Sequence, residues 1–437
     1  MRVLPFLVIG LIACGDDPES TRDTNDGETN ADTTPDTSEV ADTVSDSAEV
    51  GDTSGPDLSE ALAGRLPSEV PEGYALIELG PLPTLEGETG DFEVEVPVGA
   101  VTLHVVAATD ADATVVLLGA RAPSGVWVVV DEAPEGMSRD DADRLASGFG
   151  PGILSHNKTV ALPRVSTTLI PNSPEVVLEP GVWTFRAGAF DVTQREDGTW
   201  DRAPDATALT VSVLVRSVPV PARGAVDLVL SFDPSSGLSA GEAEADEDIL
   251  RSLDILDEAL AGVGLEVGEV ELRDVALSTG ILPLAQPACS TSDALANVFD
   301  EAPAPSRDVV HVVFLDYFTC PRFGGLFDAG QQIAALSIGA PGVPFGTRTG
   351  ILAATFAKPT YPIEWSEILA HEVGHYLGLF HTRESVGGIV DNIADTANDE
   401  EGAKANLMFF NVTLSTATTL TPDQGQIVRS SPLVKAR

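Results

Sequence analysis

From residue 70 to about 222, the apolar positions fall in short runs rich in valine, threonine and aromatics. The runs are Tyr74 to Leu79, Phe92 to Val98, Val101 to Ala107, Thr114 to Leu118, Val126 to Val130, Thr159 to Leu162, Val182 to Phe190 and Ala208 to Val215. Gly, Pro, Asn and Asp separate them, and no long helical period intervenes. This pattern predicts an antiparallel β-sandwich. Pro171 to Pro174 and Glu179 to Gly181 read as loops at its ends.

The pattern changes near residue 223. Val226 to Phe232 reads as a strand. Ile249, Leu253, Leu256, Leu260 and Val263 then form a helical stripe behind an acidic start at Glu242 to Asp248, where carboxylates suit the helix dipole. Val267 to Val275 reads as a strand, Ala294 to Phe299 as a short helix, and Asp308 to Phe318 as a buried strand. Ile333 to Ile338 and Ile351 to Phe356 are two more strands. In the next segment Trp365, Ile368, Leu369, Val373, Tyr376, Leu377 and Phe380 recur at spacings of three and four. That predicts an amphipathic helix starting near Ile363. A closing helix is expected over residues 421–430. The expected architecture is multidomain, an all-β sandwich followed by an α/β (α+β) domain.

The first 69 residues carry no such pattern. Residues 3–12 are apolar, follow Arg2 and are too few to span a bilayer. The run ends at Leu11-Ile12-Ala13-Cys14, which looks like a bacterial lipoprotein signal with Cys14 as the lipidated residue. An ordinary signal peptide cut nearby is the alternative. Gly15 rather than aspartate follows, which by resemblance to the usual sorting pattern favours the outer membrane or cell surface. Residues 15–60 hold fifteen Asp or Glu against Arg22 alone, a net −14. Such a stretch buries too little apolar surface to offset chain entropy and reads as a disordered tether. The expected segments are 1–14 signal, 15–69 tether, 70–222 sandwich and 223–437 α/β domain.

The net charge of −44 excludes nucleic acid as a plausible partner. Membrane attachment through the N-terminal lipid and a protein or peptide partner remain. Besides Cys14, only Cys289 and Cys320 are present, and in an exported product a disulfide between them is chemically reasonable. His104, His156 and His311 each stand alone and read as structural.

The other three of the six histidines lie together, in His371-Glu372-Val373-Gly374-His375-Tyr376-Leu377-Gly378-Leu379-Phe380-His381. At about 100° per residue, His371 and His375 lie about 40° apart, one turn from each other, so both reach one metal ion. Gly378 accepts the left-handed conformation that a sharp helix exit needs, and His381 can return to the same ion. Three neutral imidazoles plus a water make an open zinc site of the catalytic kind. Glu372 stands beside them as a base for that water.

This H-E-x-x-H-x-x-G-x-x-H run resembles the signature of the metzincin zinc peptidases. Asn406-Leu407-Met408 resembles their Met-turn, with Met408 as an apolar floor under the ligands. Together with Asp391-Asn392-Ile393-Ala394-Asp395-Thr396 and Thr421-Pro422-Asp423-Gln424, the order looks like the pappalysin-like branch. The resemblance covers roughly residues 225 to 437. It implies a zinc endopeptidase in which a strand near the cleft pairs with substrate. Two positions depart from the pattern: Phe410 stands where several metzincins carry tyrosine, and Ala397 follows where proline is usual. Asp391, Asp395 and Thr396 read equally as a calcium site, oxygen ligands for a hard cation, or as a solvated acidic loop. The alternative function is a surface-anchored adhesion or binding lipoprotein with a weak or vestigial peptidase domain. An intact Glu372, which zinc binding does not need, argues against it. Substrate preference and oligomeric state are not legible.

Overall fold

The computed structural model describes residues 70, 72–130, 157–160, 162–194, 200–283, 293–303, 308–319, 334–343, 348–356, 362–383, 390–412 and 418–437. Cys14, the acidic tether, His156, Cys289 and Cys320 lie outside these residues.

Eleven strands build the first unit: β1 (Tyr74–Leu85), β2 (Glu88–Thr89), β3 (Phe92–Val96), β4 (Thr102–Ala108), β5 (Thr114–Arg121), β6 (Trp127–Val130), β7 (Leu162–Pro163), β8 (Val165–Ile170), β9 (Gly181–Gln194), β10 (Trp200–Pro204) and β11 (Ala208–Arg216). Every described pairing among them is antiparallel. Period-two alternation turns Leu103, Val105 and Ala107 of β4 inward, with Val211, Val213 and Val215 of β11 and Trp183, Phe185 and Ala187 of β9. Trp183 and Phe92 both stack on Phe185, with ring centroids 6.2 and 5.8 Å away. The apolar centre is that of a sandwich. The edges differ from the expected two separate sheets. All eleven strands belong to one hydrogen-bonded sheet, and β5 pairs with β9 over Thr114 to Arg121. That pairing closes the layers on each other and satisfies backbone groups that an open edge would leave exposed.

The second sheet runs β13-β12-β15-β18-β17, with β12 (Gly224–Phe232), β13 (Leu265–Asp274), β15 (Val310–Leu315), β17 (Ala335–Ile338) and β18 (Gly350–Ala354). The first four in this order are parallel, and β17 is antiparallel at the edge. Short β14 (Ile281–Pro283) and β16 (Tyr317–Thr319) pair separately, and β19 (Lys435–Ala436) joins the start of β12. Asp308 to Phe318 is thus not one strand, since the chain leaves the sheet after Leu315. Of the helices, α1 (Ala240–Ala243) precedes α2 (Glu247–Ala261), which crosses from β12 to β13. Asp246 caps α2 by accepting from the backbone of Asp248 and Ile249. α3 (Asp293–Glu301) precedes β15, and α4 (Pro362–Tyr376) follows β18. Ile249, Leu256 and Leu260 of α2 share one core with Ile368, Leu369 and Val373 of α4. α5 (Glu400–Ala403) and α6 (Pro422–Ser430) close the chain.

The outer face of the first unit is not solvated. β4 reads T-L-H-V-V-A-A, and all seven side chains are buried. Val106, Ala108, Val160 and Val165 pack with Val343 and Phe380 of the second unit. Thr167 donates to the carbonyl of Ala340 at 2.5 Å, Ser173 to that of Asn392 at 3.1 Å, and Arg216 to those of Ser430 and Ser431 at 3.0 and 2.9 Å. His104, on the same face, is buried without a hydrogen-bond partner, and burial pushes its pKa down to about 3. Its role is packing, as expected. His311 is also a core residue, bonded to Ser231 at 2.8 Å and set edge-on to Phe299.

No helix among the described residues is long and apolar enough to cross a membrane.

Candidate metal centre

α4 delivers His371, Glu372 and His375 on one helical surface. The helix ends at Tyr376, and the exit is made by Gly378 at φ +110°, with its N–H on the carbonyl of His375 and that of Leu379 on Gly374. The next residues carry Phe380 into the packing against the first unit and turn His381 back. A Cβ at position 378 would lie 2.9 Å from Leu169 Cδ2 of β8, and the backbone there disfavours any L side chain. Gly378→Ala is therefore expected to lower stability by about 1–3 kcal/mol, read as a drop in the unfolding midpoint. An unchanged midpoint would show that the exit tolerates a side chain.

The three imidazoles converge. His375 Nε2 lies 3.1 Å from His371 Nε2, which lies 3.3 Å from His381 Nε2. Among the described residues these three form the only converging group of three or more His, Cys, Asp or Glu side chains. His371 Nδ1–H donates to the carbonyl of Leu407 at 2.7 Å, and His375 Nδ1–H to that of Leu379 at 2.8 Å. With their protons held there, the Nε2 atoms of both rings turn lone pairs into one shared space. Burial pushes His371 down to about 3 and His375 well below the ordinary imidazole value, with the neighbouring histidines adding to the shift. All three rings are shut off from solvent.

The donor set fits a small divalent ion. Tetrahedral zinc with bonds of about 2.0–2.1 Å to nitrogen places its ligand nitrogens about 3.3–3.4 Å apart, close to the spacing found here. Converging lone pairs with no proton between them repel unless a cation lies among them.

Glu372 is fully buried and is not part of the triad. Its pKa is raised to about 7, chiefly by burial, with the hydrogen bond from Ser337 acting the other way. Ser337 Oγ lies 2.6 Å from Glu372 Oε2, while Oε1 has no partner.

Met408 is fully buried below α4, and a Cβ on Gly374 would meet its sulfur at 2.4 Å, so only glycine lets the methionine come this close. The turn is braced from behind. Asn406 accepts from Met408 N at 2.9 Å and exchanges hydrogen bonds with Gln424 of α6, whose capping box with Thr421 is formed. The brace matters because Leu407, inside it, supplies the carbonyl that orients His371.

Asp391 and Thr396 meet directly, Thr396 Oγ1 donating to Asp391 Oδ1 at 2.5 Å, and burial pushes Asp391 up to about 7. Asp395 instead accepts from the backbone of Asp423 at the start of α6. These bonds hold a tight turn and meet the first turn of α6. Phe410 packs on Phe409, with centroids 4.7 Å apart.

Sequence reasoning missed Ser337 and the two orienting carbonyls. The carbonyls carry no side-chain signal. Ser337 does, as the one polar residue in the buried strand Ala335–Ile338.

No family model matches the chain. No curated protein matches it. Among the solved structures that resemble it is metalloproteinase-II from Bacteroides fragilis, at 13% identity and a TM-score of 0.30. The match spans 53% of this chain and 62% of that one. The functional reading therefore rests on the residues of the site.

Proposed function

We propose that this chain is a zinc-dependent endopeptidase of the metzincin type, acting on protein or peptide substrates outside the cytoplasm. The observation that carries the reading is the convergence of three imidazoles, two of them with Nδ1 committed to backbone carbonyls, beside a buried carboxylate with one free oxygen.

His371, His375 and His381 would hold the ion. Zinc bound there would lower the pKa of a water and polarise the scissile carbonyl. Glu372 Oε1 takes the proton from the attacking water and later gives it to the leaving amine. The dry surroundings strengthen the electrostatic contacts inside the site. β17, the antiparallel strand at the sheet's edge, is the one suited to pair with an extended substrate. The test is digestion of an unfolded protein with and without chelator. Cleavage should stop with the chelator and return with added zinc. Chelator-resistant cleavage, or none from the zinc-loaded protein, would overturn the reading.

Anchoring at the outer membrane or cell surface through a lipid on Cys14 belongs to the same proposal. It rests on the apolar run that ends at that cysteine. Cys14→Ser should release the protein to the soluble fraction. A processed mutant still in membranes after a high-salt wash would count against a lipid anchor.

A further inference from the structure

We propose that Ser337 is a positioning residue for Glu372, holding Oε2 so that Oε1 is the oxygen left to receive the proton of the attacking water. The inference rests on the peptidase reading above.

The two carboxylate oxygens of Glu372 stand in different surroundings. Oε2 lies 2.6 Å from Ser337 Oγ, and Oε1 is buried with no partner among the described residues. An unpartnered buried oxygen is unfavourable, and in a site built to receive a water it marks where that water belongs. Ser337 Oγ also lies 2.9 Å from the backbone carbonyl of Glu372. The hydroxyl is therefore set against the helix itself and not only against a rotatable side chain.

Both partners sit on rigid elements. Ser337 is opposite Ile351 in the β17–β18 ladder, and Glu372 lies within α4. Period two explains why the serine faces the helix. Leu336 and Ile338 turn into one apolar cluster, while Ala335 belongs to the core that contains α4. Position 337 shares the face of Ala335. An apolar residue there would leave Oε2 without a partner as well. The terminal torsion of glutamate is broad and roughly two-fold. Without the serine, little would keep one chosen oxygen turned toward the reacting atoms.

The bond survives the whole cycle. While Glu372 is ionised, Oε2 accepts from the serine. When a water O–H bond breaks and its proton moves to Oε1, the electron pair left on the water oxygen forms the new bond to the scissile carbonyl carbon, and the C=O π pair moves onto the carbonyl oxygen. Oε2 is then the carbonyl oxygen of the acid and still accepts. When the carbonyl oxygen's pair re-forms C=O, the C–N bond breaks with its pair going to nitrogen, the proton passes from Oε1 to that nitrogen, and the O–H pair stays on Oε1. Ser337 supplies no proton at any stage.

The experiment compares wild type, Ser337→Ala and Ser337→Thr, each zinc-loaded, by steady-state cleavage, zinc content and crystal structure. Ser337→Ala is expected to keep one zinc per chain and a similar KM, with kcat lower by on the order of 10- to 100-fold, as for loss of a hydrogen bond to a charged group. Its Glu372 carboxylate should be turned away from the wild-type orientation. Ser337→Thr, which keeps the hydroxyl, should recover most of kcat. A kcat for Ser337→Ala within two-fold of wild type, or a change in KM alone, would overturn the inference. So would a crystal structure of that variant with the carboxylate unmoved. If wild type itself fails to cleave, the peptidase reading fails, while the carboxylate orientation still reports on the serine.

Discussion

Glu372→Gln is expected to keep one zinc per chain and the native fold, and to lower peptide cleavage by about 10²- to 10⁴-fold or more. The residue is next in sequence to His371, yet its carboxylate is held by Ser337 and is no member of the histidine cluster. Glutamine keeps the size and one oxygen, so the packing around a fully buried side chain is preserved. What it loses is the ability to take a proton and return it. The loss should fall on kcat and kcat/KM together, the pattern of an interaction made only during reaction. Near wild-type cleavage by Glu372→Gln would remove Glu372 from the role of base.

His375→Ala is expected to behave differently, losing zinc and activity together. Two imidazoles hold a zinc ion far less well than three, and the missing ring also leaves the Leu379 carbonyl without its donor. The affinity of the remaining pair should fall well below that of the intact site. Metal analysis after dialysis is the measurement, and cleavage should track zinc occupancy across added zinc. A His375→Ala protein that keeps a full zinc complement would place the ion elsewhere.

These two outcomes separate roles that the motif assigns by position alone. The helix was legible because its apolar stripe has period 3.6, and the three histidines because their spacings of four and six bracket Gly378. β12, β15, β17 and β18 read as largely apolar runs, whereas β13 alternates with charged residues. Asp308 to Phe318 reads as one strand because a buried run shows no break where the chain changes partners from β18 to β14.

What the sequence hid is mostly backbone and long-range. Leu407 and Leu379 act through carbonyls, which any residue carries. The closing of the first unit depends on β5 meeting β9 across some sixty residues, a pairing that local period cannot specify. Its outer face was hidden for a related reason. A sandwich strand such as β4 ordinarily turns alternate side chains to solvent, but Ala340, Val343 and Phe380 cover that face. Thr167 on it is met by the Ala340 carbonyl of the second unit, while His104 packs there with no hydrogen-bond partner among the described residues. Asn406 and Gln424 were visible as separate motifs eighteen residues apart, and only the fold shows that they bond to each other beneath Met408.

The rest of the chemistry depends on one catalytic zinc ion held by His371, His375 and His381. The most direct test is the metal content of the full chain purified without chelators, beside a variant with all three histidines changed to alanine. Wild type should carry one zinc per chain, removed by chelator and absent from the triple variant. A wild type without zinc, or a triple variant that binds it equally well, would contradict it.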